Sequence, residues 1–512
     1  MNIVNGVKPA EPLAQRVIKS GFWVFALKFV QEILYFARLI ILARLLAPRD
    51  FGVIGIAMLT LAVLDTFSQT GIHDALIQKK EDIRDYLDAA WTGLVLRGLA
   101  LFALMFLLAP AAASFFKAPE ATAIIRVFGL SQFVAAFANI GVIEFEKHLK
   151  FHKQFVYHIA GNITNFVFVV VWALLFRSVW AFVLADLAGR IIQVVVSYAI
   201  HPYRPRFRWD LPKIKELFRF GRWVMGSSVL IFLVTQGDDI FVGKVLGAAM
   251  LGFYQMAFKL SNTPTTEISH VIGQVMFPTY AKLQDNPLRL KEAYLKVFQV
   301  IMFLSFALTA LILVLGPDFI RVFLGQKWLP MVASLQILAL AGLARSIVGT
   351  TGPLFYGVGR PEIEVRWEFV RLAVLAASLF PLTLKWELAG ASLAVFLSLF
   401  VSLIGFMGNA LRILSCSRTE YARYFLPPTL SAAALVTTAW GVMHLAGHGL
   451  FGMILSGLFG MIVYVGLTLV LERKLEYRIL FFVKDRVWPL VRKQKSKMKK
   501  MFVRCQETKI SY

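Results

Sequence analysis

The sequence predicts an all-α polytopic membrane protein of about fourteen transmembrane helices, arranged as two parallel six-helix lobes plus two C-terminal helices. Three observations predict it. The 512 residues are 58% hydrophobic and 16% charged, against about 25% charged in soluble domains, and the mean hydropathy is +0.69. So few charges cannot coat a water-soluble surface. Apolar runs extend from Gly21 to Leu471, so the hydrophobic content is not one anchor carrying a soluble domain. An internal repeat divides most of this length into two similar halves.

A bilayer core of about 30 Å needs about 20 helical residues to cross it, and unpaired backbone amides are too costly in lipid for any other open structure. Apolar runs punctuated by Pro, Gly and charge place fourteen spans at 20–46, 51–71, 89–115, 121–144, 155–176, 179–200, 217–246, 250–281, 292–316, 329–357, 364–384, 388–411, 424–446 and 449–471. The first run is too long for a signal-peptide core, carries Lys28, Glu32 and Arg38, and has no small-residue cleavage site after it. It is expected to stay as the first helix. The domain reading that follows is a cytoplasmic segment 1–19, an N-lobe 20–200, a basic linker 201–216, a C-lobe 217–412, two extra helices within 413–471 and a basic tail 472–512.

Lys and Arg on alternate sides of these spans number roughly 36 against roughly 8, which puts both termini on the cytoplasmic side of the membrane. The repeat appears when Gly21 is placed on Gly221. Trp23 then meets Trp223, Ile40 meets Ile240, Arg44 meets Lys244, Leu46 meets Leu246 and Gly52 meets Gly252, all without a gap. After a shift of seven, Leu108 and Pro110 fall on Leu315 and Pro317. Six helices is an even number, so both copies enter from the same side, and the lobes are expected to face each other across a central cleft. In the last span Gly452, Ser456 and Gly460 form a small-residue stripe suited to close helix packing.

A formal charge of +24 does not point to nucleic acid, because the basic residues sit mostly in short loops rather than on one water-exposed patch. The tail is expected to lie on anionic membrane lipid. Only Cys416 and Cys505 are present, so no disulfide or metal framework is expected. There is no Walker loop, H-E-x-x-H or G-x-S-x-G motif; neither an enzyme nor a cofactor is indicated.

The chemistry lies in ionisable residues within spans, each costing at least about 2.5 kcal/mol at the bilayer centre on insertion scales. On the first helix Lys28, Gln31, Glu32 and Tyr35 share a stripe with Arg38 at its edge. Lys28 and Glu32 can also neutralise each other at i, i+4. Arg97, Arg345 and Arg371 are further cations; Arg190 has a helical partner in Asp186. An arginine-rich cleft suits phosphate or pyrophosphate, which guanidinium grips in a fork, although snorkelling or helix pairing accounts for any single arginine. The acids are Asp238 and Asp239 on the seventh helix, Glu267 ending Ser261-Asn262-Thr263-Pro264-Thr265-Thr266, and Asp65 at the matching place on the second helix. Polar interruptions at equivalent places in two halves point to a transport site. These acids are candidates for binding a coupling H+ or Na+, or for tying helices to Lys244 or Lys259. Arg38 and Asp238, equivalent in the repeat, are candidates for a charge pair closing an outer gate.

The segment Leu42-Ala43-Arg44-Leu45-Leu46-Ala47-Pro48-Arg49-Asp50-Phe51-Gly52 resembles the L-x-R-x-L-x-P-x-x-F-G signature of bacterial polysaccharide exporters. Its echo, Asp239 to Gly247 followed by Leu251-Gly252-Phe253-Tyr254, resembles their second-lobe turn. The likeness is to the oligosaccharide flippase branch of the multidrug, oligosaccharidyl-lipid and polysaccharide exporter superfamily. It implies twelve core helices plus two, alternating access and an undecaprenyl-pyrophosphate-linked oligosaccharide as substrate. It also implies a groove for the polyprenyl tail beside the last two helices, with a polysaccharide polymerase and glycosyltransferases as partners. A peptidoglycan-precursor flippase, a multidrug or cation antiporter of the same superfamily, and a non-transport scaffold or channel remain as alternatives.

Overall fold

The computed structural model describes residues 13–68, 71–78, 83–148, 150–210, 212 and 231–475. Expectations for 1–12, for 217–230 of the seventh span and for the tail from 476 onward lie outside the described residues. Among the described residues the structure is helical and holds no strand. The helices are α1 (Leu13–Leu45), α2 (Pro48–Ser68), α3 (Ile72–Gln78), α4 (Arg84–Phe115), α5 (Ala121–Ala136), α6 (Ile143–Lys147), α7 (Phe151–Phe176) and α8 (Trp180–Ile200). They continue with α9 (231–245), α10 (Ala248–Leu283), α11 (Pro287–Phe319), α12 (Val332–Gly357), α13 (Glu362–Ile413), α14 (Arg418–Ala422), α15 (Leu426–Ala446) and α16 (Leu450–Leu475).

Nine described helices are long and apolar enough to cross a membrane, or ten if α5 and α6 form one bent span. The number falls below the expected fourteen at five identifiable places. Helices α1 and α10 carry charged and polar residues in mid-helix, and α9 is described only over 231–245. The expected span 121–144 is bent by 71°, where the Asn139 side chain accepts a hydrogen bond from the Gly141 N–H and starts a new turn. Helix α13, 52 residues long, would reach about 78 Å if straight, far beyond one bilayer core. It is broken at Trp386 and Glu387, the latter at φ 47°, between the two spans expected there. A Cβ at Gly390 would lie 1.9 Å from the Leu382 carbonyl oxygen, so this reversal needs glycine.

The repeat has a structural counterpart. Helix α1 ends at Leu45 and α2 begins at Pro48; α9 ends at residue 245 and α10 begins at Ala248, two hundred positions later. These two corners pack reciprocally. A Cβ on Gly52 would stand 1.6 Å from the carbonyl oxygen of Ala248, and one on Gly252 would stand 2.0 Å from that of Pro48. Each corner also sends a basic side chain to a backbone carbonyl: Arg44 Nε donates to Phe323 O at 2.7 Å and Lys244 Nζ to Phe115 O at 2.8 Å. The Trp328 indole donates to Ala43 O at 2.9 Å and sits edge-on to Phe51 and Phe253. The first compact unit accordingly comprises Met1–Met256 with Phe323–Met331, and the second comprises Ala257–Val322 with Val332–Tyr512.

Within the second unit α11 packs against α15 and α16 through Ala307, Ala310, Leu435, Ala439 and Tyr464. Small residues dominate because lipid gives helices no hydrophobic reason to associate and close backbone approach must supply the attraction. A Cβ on Gly460 would be 3.2 Å from atoms of Ala439 and Leu435, the packing expected of the small-residue stripe.

Candidate functional site

In the first unit, the stripe on α1 meets α7 and α8. Arg38 donates to Asn165 Oδ1 at 2.7 Å, and its guanidinium lies 4.8 Å from the Phe182 ring centroid and 5.4 Å from that of Tyr35. An amide and two aromatic faces thus solvate a cation that lipid could not. Nearly two turns before Arg38, Glu32 Oε2 is buried with no hydrogen-bond partner, while Lys28 is exposed. Asp186 and Arg190 pair at 3.8 Å on α8.

The Arg38–Asp238 pair is not formed. Asp238, 3% exposed, instead accepts a 2.6 Å hydrogen bond from the Tyr254 hydroxyl. Its neighbour Asp239 is hydrogen-bonded by the Gln255 side chain and keeps a buried Oδ1 without a partner. Gln255 reaches this place because residue 55 is glycine: a Cβ there would lie 2.2 Å from Gln255 Oε1. Both carboxylates therefore face α10.

Arg97 and Asp65, assigned to different roles on sequence grounds, meet each other. An Arg97 Nη donates to the Asp65 carboxylate and to Ser68 Oγ, and Nε donates to Ser68 O at 2.8 Å. The guanidinium thereby closes the C-terminal turn of α2, where free carbonyls and the negative end of the helix dipole favour a cation. Asp65→Asn is expected to destabilise the protein by about 2 kcal/mol, since it leaves Arg97 without its counter-charge, with a part-exposed site keeping the cost below that of a dry pair. A double change with Arg97→Gln should recover most of that loss in thermal unfolding of the purified protein; simple additivity would mean that the two do not act as a pair.

The second unit holds the other arginines. Arg345 donates to Asn262 Oδ1 at 2.6 Å, with its guanidinium 5.0 Å from the Phe258 ring centroid. Asn262 belongs to the polar stretch of α10 through which the helix runs unbroken despite Pro264; Asn262 Nδ2 and Ser261 Oγ both donate back to Phe258 O. Arg371, 8% exposed, donates to Glu368 Oε2 at 3.2 Å while its Nε has no partner. Glu364 lies one turn before Glu368, with Oε2 buried and unpartnered beside Gly352, where a Cβ would approach to 3.1 Å. The side chain of Glu267 lies outside the described residues.

These clusters supply what a membrane-embedded anion and a small cation require: guanidinium groups held by neutral amides and aromatic rings, and carboxylates with an open oxygen. Residues 41–333, more than half of the chain, match the polysaccharide biosynthesis protein family. The chain belongs to that family. It is 24% identical to the teichuronic acid biosynthesis protein TuaB of Bacillus subtilis (strain 168) over 73% of this chain and 77% of that one. It is 23% identical to the succinoglycan biosynthesis transport protein ExoT of Rhizobium meliloti (strain 1021), over 92% and 97%. Its fold is that of the lipid II flippase MurJ in an inward closed conformation, with a TM-score of 0.72 at 13% identity over 88% of this chain and 98% of that one. This polysaccharide biosynthesis family member is thus a multi-pass membrane protein.

Four functional candidates were not among the expected site residues of this family member: Asn165, Asn262, Tyr254 and Glu364. Asn262 lay inside the polar run that marks α10. Asn165 and Tyr254 carry no such signal, because a neutral side chain in a helix becomes significant only when the charge it meets is known.

Proposed function

We infer that the protein flips a polyprenyl-pyrophosphate-linked oligosaccharide, an exopolysaccharide, O-antigen or capsule unit, from the cytoplasmic to the outer leaflet by alternating access. Transport is coupled to H+ or Na+, and both termini lie in the cytoplasm. The observation that carries this reading is that a chain of the polysaccharide biosynthesis family has the fold of a protein titled a lipid II flippase. A sugar polymer made on a lipid carrier needs its charged head moved across the membrane, and buried guanidinium groups suit a pyrophosphate. The candidates to read that group are Arg345 and Arg371 in the second unit and, taken separately, Lys28 and Arg38 on α1 in the first. Arg97 is drawn into the end of α2 and has the weaker claim.

Among the acids Asp238, Asp239 and Glu267 are the candidates for the coupling ion, Asp239 keeping a buried oxygen without a hydrogen bond; Asp65 is engaged with Arg97. A strain lacking the protein should accumulate lipid-linked glycan on the cytoplasmic face, relieved by the wild type. Asp239→Asn should restore less than a tenth of export and flatten its response to pH or sodium. No accumulation, with altered tolerance to cationic drugs, would assign the chain to drug antiport instead; an unchanged ion response in the Asp238, Asp239 and Glu267 variants would remove these acids from coupling.

A further inference from the structure

The segment after α8 has a structure that transport does not explain. Pro202 and Pro205 stop the helix, since proline has no N–H and holds the residue before it extended; His201 is already at φ −122° and ψ 129°. Residues 201–210 then form neither helix nor strand, yet they are tied closely to α4. Tyr203 OH donates to Asp88 Oδ1 at 2.5 Å, the Arg206 N–H to the same oxygen at 2.9 Å and the Arg208 N–H to Thr92 Oγ1 at 3.0 Å. Asn139 Nδ2 donates to Tyr203 O at 2.6 Å, and the Phe207 ring stacks at a slant 4.7 Å from that of Trp91.

An extended chain alternates its side chains. Tyr203 and Phe207 turn to α4, whereas Arg204, Arg206 and Arg208 are exposed. Arg204 donates to the carbonyls of His201 and Tyr203; the Arg206 and Arg208 guanidinium groups have no partner among the described residues. Lys150 and Lys153 add to the positive field, since both act electrostatically on His201. Burial holds the His201 imidazole below its usual range, although Glu144 pulls the other way.

The strap also climbs. Its anchors Asp88 and Thr92 are one helical turn apart, about 6 Å along α4. Phe207 and Trp209 are 67% and 63% exposed, which suits the level where aromatic residues border the acyl chains.

We propose that this strap is a binding site for anionic phospholipid: Arg206 and Arg208, aided by Arg204, grip headgroup phosphates of the cytoplasmic leaflet while Phe207 and Trp209 rest at the acyl boundary. The leaflet follows from the Lys and Arg asymmetry of the loops; the site itself is independent of what is transported. Because the backbone hydrogen bonds hold the arginines in place, binding orders side chains only, and each guanidinium can take a phosphate in two-pronged fashion. The occupant is anionic lipid rather than zwitterionic, because a choline headgroup would bring its own cation into the cluster.

The test is native mass spectrometry of the full chain released from micelles containing phosphatidylglycerol and phosphatidylcholine. The wild type should retain phosphatidylglycerol preferentially, and R204Q/R206Q/R208Q should weaken that retention about fivefold per arginine, on the order of a hundredfold in all, with a steep loss in salt. A control of equal charge loss, K117Q/K296Q/K385Q, should retain it. The backbone anchors survive these changes, so the triple variant should elute and melt like the wild type; if it does not, R206Q alone carries the comparison with a fivefold effect. Equal retention of both lipids by the wild type, equal loss in the control, or unchanged retention in the strap variant would each overturn the proposal, as would complete displacement by millimolar inorganic phosphate, which would make the site one for free anions.

Discussion

Gly52→Val is expected to abolish accumulation of folded protein, with a cost above about 5 kcal/mol, at the extreme of single-substitution effects. The added Cβ would stand 1.6 Å from the Ala248 carbonyl oxygen, with the Ala248 carbonyl carbon at 2.4 Å. Backbone atoms at the start of α10 cannot swing aside as a side-chain tip does, so the two corners would have to part. That would also pull Arg44 and Lys244 from the carbonyls they hold. Gly252→Val should behave alike, because the contact is reciprocal. Gly408→Ala is the contrast: nothing lies within 4 Å of a Cβ there, and alanine in a helix should raise stability by up to about 1 kcal/mol. Yield and monodispersity on gel filtration, with melting temperature, read all three. A well-folded Gly52→Val protein would mean that the corners do not interlock.

Arg345→Ala is expected to lower glycan export by about a hundredfold with little loss of protein. The removed group is a charge-assisted donor, worth about 1.5–3 kcal/mol at a site it serves, and Asn262, which it leaves, is neutral and can bond locally. Arg345→Lys keeps the charge but loses the planar fork and should fall between the two. Arg371→Ala should cost export as much and stability more, since Glu368 would remain beside a buried gap. Export measured as relief of accumulated lipid-linked glycan, against protein level in the same membranes, separates the effects. Wild-type export by Arg345→Ala would remove this arginine from the substrate path.

The difference between Arg345 and Arg97 bears on how far the candidate site could be read in advance. Both are arginines in apolar spans without a helical acid nearby, and the sequence treats them alike. In the fold Arg97 is engaged by Asp65 and Ser68, whereas Arg345 meets the Asn262 amide and the Phe258 ring. The same holds for Arg38 and Asp238. Their equivalence in the repeat suggests a gate; in the fold Arg38 meets Asn165 and Asp238 meets Tyr254.

What the sequence by itself determined was the solvent, the helical class, the positions of most of the described long helices, the repeat and the family. Each rests on a quantity local to the chain: hydropathy summed over about twenty residues, a charge count per loop, or a match between segments two hundred positions apart. The bend of 71° after α5, the reciprocal seating of Gly52 and Gly252, the strap along α4 and the contacts of Arg38, Arg97, Asp238 and Arg345 were decided only by tertiary structure. A charge in a membrane must be satisfied, and that requirement marks which residues matter; which group satisfies it depends on distances of a few ångströms between helices far apart in sequence.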